Sequence, residues 1–304
     1  MDQEYPTVGH AILYIKNELK LQYPGREIQG FTELIFEYLL NYNKTDILLN
    51  NDTKLSNSVF FQIKEITNQL LCHKPIQYIL GEAWFYGIKL RVTPDVLIPR
   101  QETEELVKWI IDDTRIIPVS LVDIGTGSGC MAIALARNLP LARVTATDIS
   151  GRAVAIASEN ARNADTGIRF IVEDIFDPVT LKSEKFDILV SNPPYVTESE
   201  KRLVDKNVLY FEPLEALFVP DKQALKYYDA IASLAVKILK PGGKLFFEIN
   251  ENKAEQIEEL LIRLMFSGIE IKKDINGKYR MVRAVMDSPC FSNHGPGNSP
   301  DYAS

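Results

Sequence analysis

The sequence predicts an α/β fold: a doubly wound, mostly parallel seven-stranded sheet preceded by a small all-helical domain and a β-hairpin linker. Three observations carry this. Residues 1–75 place apolar groups at helical spacing, 76–98 break into short aromatic and β-branched segments, and 99–287 alternate strand-like with helix-like stretches. With 304 residues and 46% apolar content, the chain has enough apolar mass for about two domains.

In the first region Ile12, Ile15 and Leu19 share one helical face, as do Phe31, Leu34, Ile35, Tyr38 and Leu39, and then Phe60, Ile63, Ile66 and Leu70. The breaks between these stripes fall at Pro24-Gly25, at 41–43 and at 50–52, where Asn, Asp, Pro and Gly favour turns. From 76 to 98, the segments 78–80, 84–86 and 88–92 are punctuated by Gly81 and Gly87, which suggests a hairpin.

Beyond it, strands are expected at 119–124, 143–148, 168–172, 186–191, 244–249, 269–274 and 281–286. Helices are expected at 102–113, 130–138, 151–164, 222–239 and 252–266. Alternation of this kind requires crossover connections and therefore parallel pairing. The last two strands are joined through Asn276-Gly277, a hairpin signal, so that edge should run antiparallel. Residues 288–304, rich in Ser, Pro, Gly and Asn, read as a disordered tail.

Composition narrows the function. Thirty-four basic against 41 acidic residues give a net charge of −7, which disfavours stable binding to duplex DNA. Residues 1–75 carry seven Lys and Arg against nine Asp and Glu, so the helical region offers no electrostatic footprint for nucleic acid either. No window approaches the apolar length of a membrane span, and 1–20 lacks the compact apolar block of an export signal. Cys72, Cys130 and Cys290 form neither a zinc ribbon nor a redox pair, which places the protein in the cytoplasm. His10, His73 and His294 have no partners at metal-ligand spacing, so no metal is expected.

The first strand of the sheet region runs into Asp123-Ile124-Gly125-Thr126-Gly127-Ser128-Gly129 and then an Ala-rich helix. Glycines here let a ligand approach the backbone closely, and the helix start offers N–H groups. The Gly-x-Gly-x-Gly spacing departs from the GxGxxG that seats a pyrophosphate, so a ligand without that group is favoured. Asp148 closes the next strand, 19 residues after Gly129, where a carboxylate can accept from both ribose hydroxyls. Ser150 is available to cap the following helix in its place. Together these indicate a nucleoside cofactor, S-adenosylmethionine, with Asp174 placed for the adenine amino group and Ile175 and Phe176 as apolar walls.

At the end of the fourth strand stands Asn192-Pro193-Pro194-Tyr195, on the side of the sheet where such folds bind ligands. Two prolines remove two donors and stiffen the chain. The Asn192 side-chain carbonyl and the Pro193 backbone carbonyl are left as acceptors, and Tyr195 offers a flat face. That set suits a planar NH2 group, a carboxamide or an exocyclic base amine, held in line with a methyl donor.

With these residues the chain resembles the release-factor glutamine N5-methyltransferases. The likeness extends to about residue 286 and includes Pro75-Ile-Gln-Tyr-Ile-Leu-Gly81, the 97–104 segment with Ile98-Pro99-Arg100, the glycine loop, Asp148-Ile-Ser150, the Asn192 to Tyr195 motif, Phe211-Glu212-Pro213 and 274–280. Gln101 and Ile175 depart from the residues common there, proline and an aromatic. The resemblance implies a Rossmann-like class I methyltransferase domain over 99–287. It also implies class 1 peptide chain release factors as partners, methylated on the Gly-Gly-Gln glutamine, and a helical domain over 1–75 that recognises them. It assigns Gly125, Thr126, Gly127, Ser128, Gly129 and Asp148 to the cofactor, Asn192 to Tyr195 to the glutamine, and sets 99–104 over the cofactor's methionine end. The rival readings are an adenine-N6 nucleic-acid methyltransferase, which shares the Asn-Pro-Pro-Tyr motif, and a non-catalytic cofactor-binding adaptor of translation factors.

Three further residues have two readings each. Arg100 either binds substrate or pairs with a nearby acid, the second being favoured. Glu248 either faces the crevice or caps the next helix. Thr103 and Glu104 either face the cofactor or form a helix's polar first turn.

Overall fold

The computed structural model describes residues 6–114 and 117–287; the tail expected over 288–304 lies outside the described residues. Four helices open the chain: α1 (Val8–Leu19), α2 (Gly25–Leu40), α3 (Lys44–Leu49) and α4 (Asn57–Leu71). Their ends follow local chemistry. The Thr7 and Ser56 hydroxyls accept the N–H groups of His10 and Val59, Asn43 and Asp46 form a reciprocal capping box, and Asn41 ends α2 in the left-handed conformation. Ile15, Leu19, Ile35, Phe36, Ile63 and Leu70 close a core of their own. Tyr38 falls off the stripe and is 47% exposed.

A short helix, α5 (Ile76–Leu80), follows, where the aromatic and β-branched residues 78–80 suggested extended chain. Pro75 starts the turn, its carbonyl accepting from Tyr78 and Ile79, and Gly81 closes it at φ 75°. The apolar content serves burial of Ile76, Tyr78 and Leu80 rather than pleating.

The hairpin is present as β1 (Glu82–Phe85) and β2 (Ile88–Arg91), turning through Tyr86 and Gly87, both at positive φ. It is not a free connection. Phe85, Ile88 and Leu90 join the core of the large sheet. Buried Asn160 accepts from Arg91 N–H (2.7 Å) and donates to the Arg91 and Ser128 carbonyls (both 2.9 Å).

The remaining elements are α6 (Gln101–Asp113), β3 (Ser120–Ile124), α7 (Cys130–Asn138), β4 (Arg143–Asp148), α8 (Gly151–Asn163), β5 (Ile168–Val172), β6 (Phe186–Ser191), β7 (Val196–Thr197), α9 (Lys206–Phe211), β8 (Phe218–Val219), α10 (Lys226–Ile238), β9 (Leu239–Glu248), α11 (Ala254–Arg263), β10 (Phe266–Lys273) and β11 (Tyr279–Met286). The sheet order is β10-β11-β9-β6-β3-β4-β5, parallel from β9 to β5 and antiparallel where β11 meets β9 and β10. Seven strands and the antiparallel edge agree with expectation. Strand order reverses between β3 and β6, and a crevice opens there at the strands' carboxyl ends.

Some boundaries moved. The helix expected over 222–239 starts at Lys226, because 221–223 winds as a 3₁₀ turn after Pro220. The one expected over 252–266 stops at Arg263, since Met265 turns left-handed (φ 64°) and releases Phe266 into β10. The two-stranded pair β7–β8 carried no period long enough to read. Among the described residues no helix is long and apolar enough to cross a membrane.

Candidate active site

The crevice encloses a cavity of about 840 Å³, floored by Ile124, Gly125, Gly127, Asp148, Asp174, Ile175, Phe176, Asn192, Pro193 and Pro194. One wall, Pro94 to Leu97, comes from the chain after the hairpin, where the residues give no chemical signal. It is tethered from both sides. Tyr78 donates to the Val96 carbonyl (2.6 Å), and buried Glu212 accepts from Ile98 N–H (3.2 Å) and from Arg100 (2.5 Å). Arg100 thus pairs with an acid, the favoured reading. Glu104 accepts Tyr86 N–H (2.7 Å) and so anchors the hairpin. Within 99–104 it is Thr103 that reaches the site, through Asn192.

The glycine loop differs in character from expectation. Four of its amides are spent on the protein: Gly125 and Thr126 donate to the Thr147 carbonyl (2.8 and 2.9 Å), Gly127 to Asp148 Oδ2 (2.9 Å), and Gly129 to the Thr126 carbonyl (2.9 Å). A pyrophosphate would need those N–H groups free, so these four amides do not offer an anion cradle. The loop leaves a bare, closely approachable surface instead. Gly125 and Gly127, at φ 75° and 55°, have no protein atom within 4 Å of where a Cβ would stand.

Thr126, Ser128 and Gly129, which the resemblance assigns to the cofactor, are buried and do not line the cavity. The Thr126 hydroxyl donates to Asp123 (2.6 Å), and Gly129 sits so close to Ala157 that a Cβ would come within 3.0 Å of it. Asp123 is fully buried, with Oδ1 unpartnered among the described residues; burial pushes its carboxyl up to about 7.

Asp148 stands where the spacing put it. Its two oxygens accept from Gly127 and Ser150 N–H (2.9 Å each), leaving each a lone pair for a ligand hydroxyl, and burial raises its pKa. Ser150 caps α8 through Ala153 N–H (3.2 Å), as anticipated. Ile175 and Phe176 both line the cavity. Ile175 packs on the sheet core, whereas Phe176 is 51% exposed and lies against Tyr227 at 5.2 Å. Asp174 accepts Phe176 N–H (2.9 Å), which turns the chain back over the cavity.

Among the described residues nothing donates a hydrogen bond to Asn192 Oδ1 or to the Pro193 carbonyl. Pro194 contributes wall. Tyr195 is turned away: it is absent from the cavity lining, packs on the sheet core and donates to Glu248 Oε1 (3.0 Å). Burial, and next the Glu248 charge, raise its phenol pKa. The expected stacking face of Tyr195 is therefore taken up by packing, for its hydroxyl finds a buried acceptor across the sheet. Glu248 faces inward and does not cap the following helix.

Comparison with known proteins adds the decisive observation. Residues 11–81 match the PrmC N-terminal domain family, and 105–212 match the Methyltransferase small domain family. A release factor glutamine methyltransferase of Flavobacterium psychrophilum is 45% identical over 262 residues, covering 85% of this chain and 92% of that protein. The chain belongs to the release factor glutamine methyltransferase family. The Bacteroides thetaiotaomicron member is 43% identical over 89% of this chain and 97% of its own length, and the Bacillus subtilis member 33% over 86% and 92%. A crystal structure of a methyltransferase from Pyrococcus furiosus superposes with a TM-score of 0.50 at 20% identity, over 74% of this chain and all of that one, a likeness of fold.

Proposed function

We propose that this protein transfers a methyl group from S-adenosylmethionine to the side-chain amide nitrogen of the Gly-Gly-Gln glutamine in class 1 peptide chain release factors, in the cytoplasm. The observation that carries the reading is the pair of unspent acceptors, Asn192 Oδ1 and the Pro193 carbonyl, beside a cavity whose glycine loop has committed the amides of Gly125, Thr126, Gly127 and Gly129 to the protein. Family membership supports the substrate class.

The cavity's residues suit the cofactor. Asp148 would hold the ribose hydroxyls, Asp174 the adenine amino group, and Ile175, Phe176 and Tyr227 the purine faces, while Gly125 and Gly127 admit close approach. When bound, the cofactor supplies an electrophilic methyl on a sulfonium. The chain's own work is on the acceptor. A carboxamide nitrogen is a poor nucleophile because its lone pair is delocalised. Asn192 and Pro193 would accept its two N–H bonds, fix the nitrogen's orientation and favour the positive charge that develops as it is methylated. As the nitrogen–methyl bond forms, the sulfur–methyl bond breaks and its electron pair stays on sulfur, so that the leaving group is the thioether S-adenosylhomocysteine; the methylated nitrogen then sheds one N–H proton to water. The helices of 1–75 would recognise the protein surrounding the glutamine.

The test incubates the protein with methyl-labelled cofactor and either a purified release factor or nucleic acid, followed by peptide mass mapping. A single methyl on the Gly-Gly-Gln glutamine is expected. Label in nucleic acid, or none in the release factor, would reject the reading.

A further inference from the structure

Behind the acceptor turn lies a chain of side-chain hydrogen bonds between residues far apart in sequence. Glu248, at the carboxyl end of β9, is buried. Its Oε2 accepts from Thr103 Oγ1 at 2.6 Å and its Oε1 from the Tyr195 hydroxyl at 3.0 Å. Thr103, in the first turn of α6, is buried too, and Asn192 Nδ2 donates to its Oγ1 at 3.4 Å. Arg280, tied to Asp274 at 3.3 Å, places a positive charge near this carboxylate.

The polarity of the chain follows from counting protons. Thr103 has one hydroxyl proton, and its short bond to Glu248 commits it there. The face toward Asn192 then offers only lone pairs. An acceptor at that point distinguishes the two flips of the Asn192 amide: the NH2 end must turn to Thr103, and Oδ1 must take the other side, where nothing in the protein donates to it. The second oxygen of Glu248 holds Tyr195, at the other end of the same tetrapeptide. With both oxygens so engaged and no place in the cavity lining, Glu248 has no route to act as a base on substrate.

We propose that Glu248 and Thr103 are positioning residues that lock the Asn192 side chain with Oδ1 as the acceptor for a substrate amide N–H. The inference rests on the reading of Asn192 given above and adds to it what selects the acceptor orientation.

The test compares Glu248→Gln, Thr103→Val and Thr103→Ser by steady-state methylation of a release factor, cofactor binding by calorimetry, and thermal unfolding. A glutamine presents an N–H to one of its two partners: toward Thr103 it frees the Thr103 proton to turn toward Asn192, and toward Tyr195 it removes the acceptor that holds the other end of the tetrapeptide. Glu248→Gln and Thr103→Val should lower kcat roughly 10- to 100-fold, with cofactor Kd within about threefold of the parent and one cooperative unfolding transition retained. Thr103→Ser, which keeps the hydroxyl, should stay within about threefold of the parent, and the double variant Glu248→Gln/Thr103→Val should be no slower than its slower component. Parent kcat in Glu248→Gln or Thr103→Val, loss of cofactor affinity in step with kcat, or Thr103→Ser as impaired as Thr103→Val would each overturn the relay.

The side-chain NH2 resonances of Asn192, identified by their loss in Asn192→Ala, give a readout free of turnover. They should move in Glu248→Gln and Thr103→Val and stay put in Thr103→Ser; unmoved resonances in the first two overturn the relay. Absence of methylation by the parent protein would reject the proposed function instead, while these resonances still decide the relay.

Discussion

The glycine loop at 123–129 and the acceptor turn at 192–195 end neighbouring parallel strands, yet they spend their polar groups in opposite ways. The loop consumes nearly everything it has: four of its amides go to Thr147, Asp148 and Thr126. The turn leaves its two strongest acceptors without a protein donor among the described residues, and its prolines have no N–H to give. One region contributes shape and rigidity, the other unspent hydrogen-bonding capacity. A site that must admit a cofactor to close contact and also grip an uncharged amide needs one of each.

The sharpest way to break this contrast is Asn192→Ala. On the proposed role of its Oδ1, losing this acceptor should cut kcat by about 100- to 1,000-fold, with cofactor affinity little changed in calorimetry. Equal losses in both would make Asn192 part of the cofactor site. Next in size is Asp148→Asn, which removes the charge and sets an NH2 group against the Gly127 or Ser150 N–H; cofactor Kd should rise roughly 10- to 100-fold, while kcat at saturating cofactor changes far less.

Asp123 tests the cost of the loop's self-sufficiency. Burial pushes its carboxyl up to about 7 in the folded state, well above the ordinary aspartate value of about 3.9. The folded state therefore binds the proton more tightly, so stability is greatest when the group is protonated and declines as pH rises from about 4 through 7. Between pH 5 and 7 the loss from this group is about 2 kcal/mol. Denaturant unfolding of Asp123→Asn should show a pH slope flatter by that amount, and an unchanged slope would refute the assignment. The smallest stability effect belongs to Gly127→Ala. Its Cβ meets no protein atom, so only the left-handed backbone is penalised, by about 1 to 2 kcal/mol; a larger loss on thermal unfolding would mean that the loop is packed there after all.

Much of this architecture was legible in the chain. The helical stripes, the seven strands, the antiparallel edge at Asn276-Gly277 and the convergence of the loop, Asp148, Asp174 and Asn192 all follow from local periodicity and from the rule that such sheets bind at their carboxyl ends. The misses share a cause. Residues 78–80 have strand-like composition, but Pro75 and Gly81 bracket them into a helical turn. Tyr195 was read as a free face, yet its hydroxyl is drawn to Glu248, 53 residues away. Thr126 and Ser128, which the resemblance assigns to the cofactor, are buried beneath the loop's surface. The wall at 94–97 has no chemical signature and owes its place to Tyr78 and Glu212.

By itself the amino-acid order determined which residue types stand at the strand ends, because strand period, proline geometry and glycine freedom act over a few neighbouring positions. Only the tertiary structure decided which of those polar groups stay available. A hydrogen bond is satisfied by whatever the fold brings within about 3 Å, and for Thr103, Asn192, Tyr195 and Glu248 the partners arrive from strands and helices 53 to 145 residues apart.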